Sequence, residues 1–296
     1  MRKWLAAIAL LSSPSAHSAE LPGWAAKPIT IGNAHTILSV PMGEVRAVNV
    51  VLPARYAKEP EKQYPVLYLI DGGFEQDLLH VSGALHLGSV WGRAADAIVV
   101  GIETKDRRKE LVGPTRDAEL LRRYPTAGSS GLFREFIRAE VKPLVDGTYR
   151  TSGHDAVIGE SLAGLFILET YLNEPTLFDS YAAIDPSLWW DKEALSKDAA
   201  VKAAAARNSK PLYVAIAKEQ AETPAAVNRV TDAIKGKAAQ WCLALHPDLR
   251  HSTIYQQLTP QALQFLLPPP KPPAAEFGFN VQCSQQSPAH RAGIRP

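Results

Sequence analysis

No one sign of charge dominates this chain of 296 residues: 32 Lys and Arg stand against 30 Asp and Glu, a formal net charge of +2. So even a balance gives no global field to gather nucleic acid or an acidic membrane, and neither is expected as a partner. Long apolar runs are also missing. The run from Trp4 to Leu11 is too short to cross a bilayer, and nothing downstream approaches spanning length. There is no internal repeat, which sets aside solenoid and propeller architectures. Cysteine is scarce, with only Cys242 and Cys283, so at most one internal bridge can form.

The start of the chain follows the pattern of a secretory leader. Arg2 and Lys3 supply the charged end, Trp4 to Leu11 the apolar stretch, and small residues from Ser12 to Ala19 the cleavage region. The expected organisation is a leader over residues 1–19, one domain over 20–268 and a Pro-rich, unfolded tail over 269–296, the composition changing after Leu267 with Pro268, Pro269, Pro270, Lys271, Pro272 and Pro273. Such a leader implies a secreted or periplasmic protein, with no stable membrane insertion once it is cleaved. In that oxidising setting Cys242 and Cys283 could pair.

Within the domain, apolar and β-branched runs alternate with helical patterns, the signature of a mostly parallel central sheet with helices on both faces. Glu44 to Leu52 alternates like an antiparallel strand. Val66 to Ile70 and Ala97 to Ile102 are continuous apolar runs suited to central strands. Further strands are expected at Ala156 to Ile158, Tyr181 to Ile184, Leu212 to Ile216 and Trp241 to Leu245. Leu132, Phe133, Phe136, Ile137, Val141 and Leu144 recur at helical spacing. Another helix is expected to open at Thr259, with Pro260 in its first turn.

The chemistry centres on His154-Asp-Ala-Val-Ile-Gly-Glu-Ser-Leu-Ala-Gly-Leu-Phe166, a short strand that runs through Gly159-Glu160-Ser161-Leu162-Ala163 into a helix. A serine between small residues in that setting is a nucleophile elbow. Side chains larger than Gly159 or Ala163 would strike neighbouring backbone. The helix start also presents the Leu162 N–H to a developing oxyanion.

A serine hydroxyl needs an imidazole to take its proton. His251, on the loop before the final helix, is the expected base, preferred over His246 at the strand end. The acid that orients it is expected at the end of a strand between Ser161 and His251. Glu219, after Leu212 to Ile216, is the first choice, Asp185 the second and Glu222 the third. A second oxyanion donor is expected after Val66 to Ile70, at Gly73 or else Gly72. Trp189 and Trp190 are candidates to line the cleft. Arg107 and Arg108, flanked by Lys105 and Lys109, are candidates to attract an anionic ester such as a catecholate siderophore. The expected activity is carboxylic ester hydrolysis through an acyl-enzyme on a small-molecule ester, with no metal or cofactor. An acyltransferase, or a binding protein that has lost catalysis, are the alternatives.

With these residues assembled, the chain resembles the putative-esterase family of α/β-hydrolases, the group that includes esterase D, ferri-siderophore esterases and the mycolyltransferases. The resemblance runs from about Ile29 to Leu267. It rests on Leu67-Tyr-Leu-Ile-Asp-Gly-Gly73, Val99-Val-Gly-Ile-Glu103, the helix from Phe136 to Tyr149, Asp185-Pro-Ser-Leu-Trp-Trp190 and Arg250-His-Ser252. The Pro-Ser-Leu-Trp-Trp string is most like the periplasmic siderophore esterases. The resemblance implies an α/β-hydrolase fold with Ser161 as nucleophile, His251 as base, and Leu162 and Gly73 as oxyanion donors. The acid stays open: Asp185 stands where relatives usually carry a small residue, Ala217-Lys-Glu219 lacks their Gly, and some siderophore esterases use a Ser–His dyad alone.

Overall fold

The computed structural model describes residues 26–206, 209–221, 224–235, 238, 240–271 and 273–288. The leader expected over residues 1–19 and Glu222 lie outside the described residues. The chain divides into two units, Met1–Ile31 and Gly32–Pro296. Of the first, the described residues 26–31 form no helix or strand.

The second unit is built on a nine-stranded sheet: β1 (Asn33–Ser39), β2 (Glu44–Val51), β3 (Tyr64–Ile70), β4 (Ile98–Ile102), β5 (Thr151–Glu160), β6 (Ser180–Ile184), β7 (Leu212–Ala217), β8 (Trp241–His246) and β9 (Gln285–Gln286). In space the order is β1-β2-β4-β3-β5-β6-β7-β8-β9. Pairing is parallel from β4 through β8 and antiparallel at both margins. This is the expected mostly parallel α/β sheet.

Side-chain alternation on the strands creates two cores. On β3, Tyr64, Val66, Tyr68 and Ile70 join the core on one face, and Leu67 and Leu69 join the core on the other. The helices that cover the sheet are α1 (Leu78–Val90), α2 (Arg107–Glu110), α3 (Ala118–Arg123), α4 (Ser130–Phe136), α5 (Lys142–Thr148), α6 (Leu162–Asn173), α7 (Trp190–Ala206), α8 (Lys218–Ala221), α9 (Pro224–Ile234) and α10 (His251–Leu266). Helices α1 and α10 seal the Leu67 face. Helices α4, α6, α7 and α9 seal the other. Between α4 and α5 a π-helical segment, Ile137–Val141, continues the helix expected from the Leu132 to Leu144 spacing.

Three features differ from the sequence expectations. The last helix begins at His251, eight residues before Thr259, and carries Pro260 inside it. Proline forfeits one helical hydrogen bond there, but Ile254, Tyr255 and Leu258 extend the same buried face, and their burial holds the helix continuous. Thr259 is no cap: its hydroxyl donates back to the Tyr255 carbonyl at 2.7 Å. The tail is also not structureless throughout. Gln285 and Gln286 pair with Leu243 and Cys242 at the edge of β8. Strand β1 was not foreseen, because its side chains are largely exposed and lack an apolar signal.

Cys242 on β8 and Cys283, 41 residues further on, are disulfide-bonded, which ties the tail to the sheet edge. Cross-linking a loop of that length restricts the unfolded chain. Replacing both cysteines with alanine is expected to lower the unfolding free energy by about 2–4 kcal/mol, read from denaturant midpoints of the oxidised protein. An unchanged midpoint would show that the bridge adds no stability.

Candidate active site

Strand β5 ends at Glu160 and helix α6 begins at Leu162, so Ser161 alone makes the turn, at φ 62° and ψ −119°. That conformation is strained for any L-residue and persists only where the surroundings enforce it. Here they do so through β6 and the loop after it. The Ser161 N–H donates to the Ile184 carbonyl at 3.0 Å, and the Ser161 carbonyl accepts from the N–H groups of Leu165 and Ser187. The turn also demands small neighbours. A Cβ on Gly159 would lie 2.7 Å from that of Ala163, and one on Gly164 would lie 2.9 Å from the Ile184 carbonyl oxygen. Leu162 is the first residue of α6, so its N–H has no carbonyl one turn earlier in the helix to bond.

Parallel pairing sets the next residue. Glu160 is in register with Ile184, so the strands deliver Ser161 and Asp185 side by side. Asp185 is 1% exposed. Its Oδ1 accepts from the Ala217 N–H at 2.8 Å and from Gln220 Nε2 at 2.7 Å. Its Oδ2 accepts from His251 Nδ1 at 2.6 Å. The other ring nitrogen of His251 has no hydrogen-bond partner among the described residues. Ser161, Asp185, Ser187 and His251 line one cavity of about 390 Å³, together with Leu188, Trp189, Glu193, Glu219, Gln220, Ala226 and Val227.

The imidazole's partner is therefore Asp185 and not the first choice, Glu219. Glu219 accepts from the backbone N–H of His251 at 3.0 Å and lies 3.7 Å from Arg250. As the second residue of α8 it bonds to the start of α10 rather than to the ring. His246 stays at the end of β8, with Asp248 3.7 Å away. Two groups that sequence reasoning missed complete the arrangement. Gln220 holds Asp185, and its amide oxygen accepts from the Leu188 N–H at 3.3 Å. The Ser187 hydroxyl sits 3.3 Å from that of Ser161. Gln220 carries no signal except that it follows a strand end, and Ser187 none except its place in the Asp185 to Trp190 string.

Other expected site residues are placed differently. The Gly73 N–H is already engaged, donating to Gln76 Oε1 at 2.9 Å, while Gln76 Nε2 donates to Thr104. The Gly72 N–H donates to the Ile102 carbonyl. Trp189 is 57% exposed and lines the cavity. Trp190 does not: it is buried, packed edge-on to Trp189 and tilted against Tyr124, because the chain turns between the two indoles. Arg107 is held by Asp71 at 2.8 Å, and the Arg108 guanidinium lies 4.2 Å from the centre of the Tyr124 ring. Neither arginine lines the cavity, since each finds a partner on its own side of the sheet end.

The local field is crowded with carboxylates. The Asp185 hydrogen bond and charge hold the His251 imidazole above its ordinary value of 6.5, against a lowering by burial. Burial pushes Glu160 up to about 7 and Asp77 up to about 6, the latter with help from the charge of Asp71. Glu160 and His251 each feel the other's charge, so they titrate as a linked pair.

Comparison with known proteins gives the same outline. A family model described as "Putative esterase" matches residues 39–246. Ferri-bacillibactin esterase BesA of Bacillus subtilis is 26% identical over 221 residues, 68% of this chain and 74% of that one. The siderophore triacetylfusarinine C esterase of Aspergillus fumigatus is 27% identical over 155 residues, 46% of this chain and 48% of that one. Among solved structures, an IroE-like serine hydrolase from Shewanella oneidensis superposes with a TM-score of 0.69 at 22% identity, covering 79% of this chain and 78% of that one. That likeness is one of fold, the α/β-hydrolase fold.

The distinction between Asp185 and Glu219 can be read without substrate. By NMR titration His251 is expected to show a pKa above 6.5, falling in Asp185→Asn and falling less in Glu219→Gln. A larger fall in Glu219→Gln would reverse the assignment.

Proposed function

The chain belongs to the Putative esterase family of carboxylic ester hydrolases, and from that premise we propose that it is a serine esterase working through an acyl-enzyme. The observation that supports this most directly is a single cavity lined by the strained Ser161 and by the bonded pair His251–Asp185. In the proposed cycle His251 takes the Ser161 proton as the hydroxyl oxygen attacks the ester carbonyl. The C–O bond to the alcohol then breaks as His251 returns the proton to it. Water, deprotonated by the same imidazole, attacks the acyl-serine, and Ser161 regains its proton as the acid leaves.

Asp185 fixes the ring with its protonated nitrogen facing away from Ser161 and stabilises the imidazolium. The oxyanion is held by the Leu162 N–H at the positive end of α6. The Gly73 N–H joins it when Gln76 turns away. Ser187, beside the nucleophile, positions the Ser161 hydroxyl through the 3.3 Å contact. No step needs a metal or cofactor.

The proposed substrates are small esters of the siderophore type, a reading supported by the relatives named above. The proposed location is secreted or periplasmic. The disulfide supports it, because such bridges persist in oxidising compartments. No described helix is long and apolar enough to cross a membrane.

Ser161→Ala is expected to abolish turnover of a p-nitrophenyl ester while the circular dichroism spectrum and unfolding midpoint stay close to wild type. Asp185→Asn is expected to lower kcat/KM by about 10²- to 10⁴-fold, with Glu219→Gln much milder. Since the neutral imidazole is the active form, wild-type kcat/KM should rise with pH through a value above 6.5, and that limb should move to lower pH in Asp185→Asn. Full activity in Ser161→Ala would end the proposal.

A further inference from the structure

The cavity beside Ser161 has a charge character that the sequence did not suggest. Its ionisable lining consists of Asp185, Glu193, Glu219 and His251, with no lysine or arginine among the lining residues. Glu193 and Glu219 each face an arginine, Arg229 at 2.5 Å and Arg250 at 3.7 Å. Neither arginine is among the residues that line the cavity, so the charged side chains on its wall are these carboxylates and His251. Across the elbow, Glu160, Asp77 and Asp71 add three more carboxyl groups. The cation in their midst, Arg107, is already bonded to Asp71.

A second, independent observation concerns the backbone that delivers Glu193. Asp191, Lys192 and Glu193 are consecutive left-handed residues, at φ 48°, 53° and 67°. None is glycine, and runs of this kind are disfavoured because each Cβ crowds the following carbonyl. The turn is pinned by Lys192 to Asp117 at 2.7 Å, by Arg229 to Glu193, and by the Ser196 hydroxyl donating to the Glu193 carbonyl at 2.9 Å. Strain maintained by several bonds at a site's edge is a mark of function. Its product is a carboxylate held at the cavity wall, next to the apolar surface of Leu188, Trp189, Ala226 and Val227.

We infer that this cavity selects esters whose acyl portion is neutral or positively charged and rejects anionic ones, with Glu193 as the specificity-determining carboxylate. The inference rests on the esterase reading and narrows it. An anionic acyl group would meet a wall whose carboxylates repel it and whose neighbouring arginines are already paired with those carboxylates. An apolar acyl chain gains the Leu188, Trp189 and Val227 surface, and a quaternary ammonium gains the open face of Trp189 as well. Carried to iron chelates, the same chemistry favours neutral ferric tris-hydroxamate esters over trianionic ferric tris-catecholates. That reverses the anionic preference expected from Arg107 and Arg108.

The test compares three p-nitrophenyl esters of matched acyl length, terminating in a methyl, a trimethylammonium and a carboxylate group. The expected result is a kcat/KM for the carboxylate ester about tenfold or more below that of the methyl ester, with the trimethylammonium ester equal to or above it. Added salt should narrow the gap. Glu193→Gln should raise the ratio of carboxylate to methyl ester turnover several-fold. A carboxylate ester hydrolysed as well as the methyl ester, or a ratio unmoved in Glu193→Gln, would overturn the inference and leave the esterase intact. The corresponding anilides, titrated calorimetrically into Ser161→Ala, read the preference as binding. If wild type turned over none of the esters, the esterase reading would fall, and the order of anilide affinities would still decide the charge preference.

Discussion

The site depends on one constrained residue. At Ser161 the chain must leave a strand and enter a helix with no intervening loop, and it does so at a positive φ that costs about 1–3 kcal/mol. The compensation is spread over bonds to Ile184 and Ser187 and over small residues at 159, 163 and 164. Because those bonds run to β6 and its following loop, the strain that exposes the serine also fixes its position relative to the end of β6. Asp185 is the residue that follows that strand. Asp185 is thus placed by the same contacts that place Ser161.

From there the organisation propagates along the sheet. Asp185 takes hydrogen bonds from Ala217 at the end of β7 and from Gln220 on α8. It gives the imidazole of His251 a fixed anchor at the start of α10. Glu219 caps that start through the His251 backbone N–H, so two carboxylates share one histidine, one oriented on the ring and one on the main chain. Three successive strand ends and one helix start therefore converge on a single cavity. None of the groups depends on a long loop for its position, which suits a site that must hold hydrogen-bond geometry to tenths of an ångström.

Much of this was legible in the sequence, and the reason is local. The elbow pattern, with strand before and helix after, depends on residues within a few positions of one another. The same is true of the apolar runs of β3, β4 and β7, buried on both faces. The carboxylate bonded to the imidazole was the second choice and not the first, because its identity depends on register between strands, which no local pattern records. Asp185 and Glu219 both follow strand ends, and only the pairing of Glu160 with Ile184 separates them. Gly73 looked accessible for want of a side chain, yet the Gln76 amide three residues on closes over its N–H. The tandem tryptophans diverge because Trp189 lies in a turn and Trp190 opens α7. The basic run at Lys105 to Lys109 pointed to an anionic ligand, but Asp71, Glu44 and the Tyr124 ring absorb three of its charges. A cation in sequence is a free cation only when folding leaves it one.

The central claim is that the hydroxyl of Ser161 is an activated nucleophile, and its reaction with a fluorophosphonate tests that claim most directly. Peptide mass spectrometry of the labelled protein should place one adduct on Ser161. Labelling should slow on acidification as His251 becomes protonated. Wild-type protein that takes up no label, or carries it at another residue with Ser161 unmodified, would contradict the account.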